Sequence, residues 1–145
     1  MKKGFTLIEL LAVIVILAII LLIAMPIVLN VINEARKGAF NSTGFGLVKT
    51  AENDYFRRAL DGSTVDTWYV WIDGTQSAWI VDSGVPDYTI TGAPSLLEYS
   101  GQGPDDGVIH VSSDGEITMW IHNGAFCSYK LSTSTDVEVT EDAVI

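Results

Sequence analysis

The chain has 145 residues, 48% of them apolar and 18% charged, with a formal net charge of −10. Those figures fit together only if the sequence is segregated. No charged residue lies between Leu10 and Leu29, whereas beyond Ala59 a single lysine, Lys130, faces fourteen acids. A uniform soluble globule is excluded, and the lack of a basic face argues against binding nucleic-acid phosphates.

In chain order, Lys2 and Lys3 come first and an apolar run, Leu10–Leu29, follows. Its twenty residues at about 1.5 Å each are enough to cross a hydrocarbon core about 30 Å thick. A cleaved secretory signal fits poorly, because its apolar core spans roughly 7–15 residues and ends at a small-x-small cleavage site. A plain signal anchor accounts for the run but leaves Glu9 unexplained. A carboxylate embedded in such a segment needs a partner. Locally, Thr6-Leu7-Ile8-Glu9 has the spacing of a capping box, which satisfies orphan N–H groups at a helix start. Capping alone does not say why the helix begins inside the apolar segment.

Lys3-Gly4-Phe5-Thr6-Leu7-Ile8-Glu9, followed at once by an apolar helix, resembles the class III signal of bacterial type IV pilins and pseudopilins. The resemblance is close over residues 1–30 and looser to about Leu60. It implies a short leader, residues 1–4, cut between Gly4 and Phe5 by a prepilin peptidase that also methylates the new Phe5 amine. Glu9 then falls where the family keeps a glutamate, and Pro26 where many members carry a helix-bending proline. The resemblance also supplies Glu9 with a partner, the cationic Phe5 amine of a neighbouring subunit. A subunit docked out of register would leave a buried charge unpaired, so the pair is expected to set assembly register. The N-terminus is taken as cytoplasmic on this resemblance, since Lys2 and Lys3 are nearly balanced by Arg36 and Lys37 in the positive-inside count.

Beyond the run, Ile32, Ala35, Ala39, Thr43, Leu47, Ala51, Tyr55 and Ala59 recur at three- and four-residue spacing, one face of a continuing helix. Pro26 should bend it. Gly44 and Gly46 lower helix propensity by about 1 kcal/mol each, so an interruption is expected over Asn41–Gly46. Asp61-Gly62-Ser63 ends the pattern. A helix from Phe5 to Leu60 would be roughly 84 Å long.

The remainder reads as strand. Thr67–Ile72 and Ala78–Val81 flank Asp73-Gly74, and Tyr88–Thr91 and Leu96–Tyr99 are shorter candidates in a Gly-, Pro- and Ser-rich stretch. Val108–Val111, Ile117–His122 and Ala125–Leu131 are separated by Asp114-Gly115 and Asn123-Gly124, which suit type I′ turns and predict a three-stranded antiparallel meander. Alternation puts Ile117, Met119 and Ile121 on the helix-packing face. The expected fold is α+β, which agrees with a pilin head. The organisation reads as leader 1–4, membrane and filament-core helix 5–29, helix continuing over 30–60, and β head 61–145.

Other candidates for chemistry are few. His110 and His122 sit on different expected strands with no clustered ligands, and no Ser-His-Asp spacing, Walker loop or GxGxxG occurs, so no enzyme and no cofactor are expected. Asp105 and Asp106, with Asp114 and Glu116, are acidic enough to be weighed as calcium ligands but lack a recognisable spacing. The one cysteine, Cys127, permits neither an intramolecular disulfide nor a cysteine-based zinc site, and is read as a small buried hydrophobe. Many pilins of double-membrane bacteria staple the C-terminal loop with a disulfide, and this chain departs from that pattern. Trp68 and Trp71 alternate, so they cannot share one core, and an exposed tryptophan could pack between subunits or stack on a sugar.

The expected function is therefore a type IV pilus-like structural subunit. The resemblance implies as partners copies of itself or related pilins, the prepilin peptidase, a membrane platform, an assembly ATPase, and lipid before assembly. It implies a single-pass plasma-membrane precursor and then an extracellular filament. Two other readings fit many of the same residues: a pseudopilin of a secretion or DNA-uptake machine, and a membrane-anchored carbohydrate-binding module that never polymerises. Only the last predicts an uncut Phe5 and a dispensable Glu9.

Overall fold

The computed structural model describes residues 4–62, 64–81, 96–101 and 103–141. Contacts divide the chain into two compact units, Met1–Arg36 and Lys37–Ile145. One helix, α1 (Leu7–Leu60), contributes to both.

In the first unit every large apolar side chain from Phe5 to Ile32 is exposed. A helix that is apolar on all sides buries itself in lipid or among like helices. The stretch is long and apolar enough to cross a membrane, and α1 continues through Pro26.

In the second unit α1 buries Phe40, Thr43, Gly44, Leu47, Val48, Ala51 and Asp54. Thr43, Leu47 and Ala51 follow the expected face, but Ile32, Ala35 and Ala39 are exposed. The expected break at Asn41–Gly46 does not occur. A Cβ on Gly44 would lie 2.7 Å from Ser128 Oγ, 3.1 Å from Val137 Cγ1 and 3.2 Å from Met119 Cε. This glycine marks a close approach of helix to sheet. The packing around it outweighs a propensity loss of about 1 kcal/mol. The helix ends as expected, with the Gly62 N–H donating to Ala59 O (3.1 Å) at a φ of 80°, the left-handed C-terminal residue that favours glycine.

Six strands, β1 (Asp66–Ile72), β2 (Thr75–Val81), β3 (Asp106–Val111), β4 (Ile117–His122), β5 (Phe126–Lys130) and β6 (Glu138–Glu141), form one antiparallel sheet in the order β2-β1-β3-β4-β5-β6. The fold is α+β. The expected meander is its centre, widened by β1 and β2 on one side and by β6 on the other. Tyr88–Thr91 lies outside the described residues. Leu96–Tyr99 is not a strand: Leu97 is buried, its backbone meets the suitably turned Gln76 amide at 2.9 and 3.1 Å, and Thr50 Oγ1 donates to Glu98 O (3.0 Å).

Among the turns at Asp73-Gly74, Asp114-Gly115 and Asn123-Gly124, the first alone is of type I′. Asp73 (φ 49°) and Gly74 (φ 71°) both enter the left-handed region, as that turn requires. Asp114 and Asn123 stay out of it, leaving Gly115 and Gly124 alone there. Those connections are longer loops. One is closed by Ser112 N–H donating to Glu116 O (2.9 Å), the other by Asn123 Oδ1 accepting from Ala125 N (3.3 Å) and Phe126 N (3.0 Å).

The core lies between α1 and one face of the sheet. Ile117, Met119 and Ile121 are all buried there, as alternation predicts. Ile109 stands between Tyr69 and Met119 across the ladder. Trp71 is 1% exposed in this core, whereas Trp68 is half-buried on the other face. The Trp79 side chain lies outside the described residues.

Candidate functional site

The residues at the start of α1 form a compact arrangement. Thr6 N–H and Thr6 Oγ1 both donate to Glu9 Oε2, at 2.9 and 2.8 Å, and Glu9 N–H donates back to Thr6 Oγ1 at 3.3 Å. Leu10 N–H then makes the first helical bond to Thr6 O (3.2 Å). This is the capping box read from the sequence, and it explains why α1 begins at Leu7 rather than at Phe5. Residues 4–6 precede the helix without regular structure and are exposed. Nothing lies within 4 Å of a Cβ placed on Gly4. The Gly4–Phe5 peptide is thus exposed backbone outside the helix.

In the head the structure separates the acids weighed as calcium ligands. Asp106 begins β3 with Asp105 just before it, while Asp114 and Glu116 lie past its other end. Asp106 Oδ1 instead accepts the Asp73 N–H (3.2 Å). Among the described residues no group of three or more His, Cys, Asp or Glu is placed to hold a metal ion. His110 stacks on Trp68, and His122 Nδ1 accepts from Gly124 N (3.3 Å). Cys127 is buried, and burial pushes its thiol up against a smaller opposing hydrogen bond from Trp120. A groove of about 500 Å³ beside Phe45, Val48 and Ile117 carries two lysines and two glutamates.

The sequence reading passed over a buried polar cluster joining α1 to β1. Asp54, 5% exposed, accepts hydrogen bonds from the Tyr69 hydroxyl, from Arg57 and from Arg58 Nε (2.9 Å), and Arg58 also donates to Thr67 Oγ1. Burial pushes the Asp54 carboxyl up, but the Tyr69 hydroxyl and the two guanidiniums prevail and hold it below the usual carboxylate range. Burial and then Asp54 push the Tyr69 phenol well up. The available signal was Asp54, Arg57 and Arg58 at i, i+3 and i+4. These bonds fasten the end of α1 to β1.

The decisive comparison concerns the N-terminus. Residues 1–25 match the family model of the prokaryotic N-terminal methylation motif. The chain carries a class III signal. No curated protein and no solved structure matches it. The signal marks a subunit of pilin-like or pseudopilin kind, a substrate for prepilin peptidase, made as a membrane-anchored precursor and suited to assembly into a filament. It points to a structural role.

Proposed function

We propose that the chain is the structural subunit of a type IV pilus-like filament displayed on the cell surface. The observation that carries this reading is the capped Glu9 one turn behind an open Gly4–Phe5 bond, at the head of a helix apolar on every side. Cleavage at Gly4–Phe5 removes Lys2 and Lys3 and frees the Phe5 amine, which is then methylated. Among the described residues nothing donates to Glu9 Oε1, so that oxygen remains open to the Phe5 ammonium of a neighbouring copy. In a bundle of apolar helices that pair is unsolvated, and a copy shifted along the axis loses it. The pair therefore sets register.

Extraction from lipid into the bundle keeps the apolar surface of residues 5–29 away from water throughout. An ATPase acting through a membrane platform supplies the work, and Pro26, which has no N–H to donate, lets the helix bend in the bundle. The acidic head, residues 61–145, coats the filament. Electron microscopy of material sheared from expressing cells, with subunits identified by mass, tests this. Long filaments built of this chain are expected; a short structure confined to the envelope would transfer it to the pseudopilins.

A further inference from the structure

Resting on the filament reading, we propose that Glu34 of one copy pairs with Lys37 of the next. This is a second contact between helices, in the register that Glu9 and Phe5 set. Glu9 and Glu34 both lie on α1, about seven turns apart at about 3.6 residues per turn, so the two carboxylates share one face. Lys37 follows Glu34 at the i, i+3 spacing of neighbours on that face. Arg36 points about 160° away from Glu34 and is not the partner. Glu34 is exposed and Lys37 half-buried. Lys49 and Glu52, also at i, i+3, form an ion pair of 2.8 Å within one helix, whereas among the described residues Glu34 and Lys37 have no partner.

Register decides what each of them meets. An unshifted neighbour would set Glu34 level with Glu34 and Lys37 level with Lys37, like against like. When the Phe5 amine of an upper copy stands level with Glu9 of a lower one, the helices are displaced along their axis. The displacement is about 6 Å if residues 5–9 rise as helix, and about 10 Å if residues 5–7 are extended. Residues 4–6 lie outside the helix, so the larger value applies to the unbound chain. On its own helix Lys37 stands about 4.5 Å above Glu34. The shift therefore brings Glu34 of the upper copy within about 2–6 Å, along the axis, of Lys37 of the lower. Helices packed about 8–10 Å apart leave that gap to a long lysine stem and a glutamate. The contact joins two different positions of the same chain, so it is heterologous and open-ended, the kind that extends a filament.

Two single variants test the pair across copies. In Lys37→Glu alone, acid meets acid at every contact; in Glu34→Lys alone, cation meets cation. Each should lower the yield of sheared filaments about tenfold or more. Co-expressed, the two variants should assemble together at near wild-type yield, with both masses in the filaments, because each supplies the charge the other lacks. Undiminished yield from the single variants overturns the pair. Depressed yields that the mixture does not rescue also overturn it, since pairing within one helix or a folding defect gives that result. Wild-type filaments uphold the filament reading in either case. A wild-type chain that forms no filament overturns both.

Discussion

At the scale of single residues, Glu9 serves two masters. Within one subunit its Oε2 takes both donors of Thr6 and starts the helix; between subunits, on the proposed reading, its charge answers the Phe5 amine. Glu9→Gln separates them, because an amide still accepts hydrogen bonds but cannot neutralise an ammonium among apolar helices. The variant should be made, inserted and cleaved, yet give sparse filaments or none. Wild-type filament yield would remove the register role and leave capping as the whole account. Asp54 makes a different demand. Asp54→Asn leaves Arg57, Arg58 and Tyr69 facing a neutral partner and should destabilise the head by about 3 kcal/mol, read by thermal unfolding of the detergent-solubilised chain. Because its carboxyl titrates lower when folded, the stabilisation is complete above the unfolded value near pH 3.9. It drains away as pH falls through the lower folded value. A melting temperature that does not fall below that pH faster than in Asp54→Asn would argue against the cluster. Glu9 was legible because a carboxylate in an apolar run has no ordinary explanation. Asp54 was not, because on a charged helix surface it looks like any other i, i+4 pair until Tyr69 arrives from fifteen residues further on.

At the scale of elements, local pattern carried the helix and the central strands. Periodicity and the Asp61-Gly62 stop placed α1, and two-residue alternation placed Ile117, Met119 and Ile121 against it. What local pattern missed depends on contacts distant in sequence. Gly44 reads as a helix breaker until Ser128, Val137 and Met119 close around it. Strand β6 is short and acidic, and an edge strand charged in this way discourages pairing with other chains; its place in the sheet shows only in its ladder with β5 and in the packing of Val137 and Val139 against the core. The two glycines make a matched test. Gly44→Ala gains about 1 kcal/mol in propensity but overpacks a site for about 1–3 kcal/mol, so the melting temperature should fall. Gly46→Ala meets nothing within 4 Å and should raise it, by about 0.5–1 kcal/mol of stability. Shifts of the same sign would contradict the assigned close approach.

At the scale of the whole molecule, the opposition between an apolar N-terminal helix and an acidic head suits, on the proposed reading, a subunit that lives first in lipid and then in a bundle of its own kind. The open Gly4–Phe5 bond serves the first setting, and the Glu9 charge, beyond its part in the cap, serves the second. High salt should weaken assembled filaments through the proposed contacts of Glu34 with Lys37, which lie beyond the apolar run and are open to screening, while leaving cleavage of the precursor unaffected. Sedimentation of sheared filaments across a salt series reads the first effect, and the mass of membrane-extracted subunit reads the second. Everything downstream rests on the N-terminus, and mass spectrometry of the N-terminal peptide from assembled protein tests it most directly. The account predicts a peptide that begins at Phe5 and carries one methyl group on its amine; a peptide that begins at Met1, or an unmodified Phe5, would contradict it.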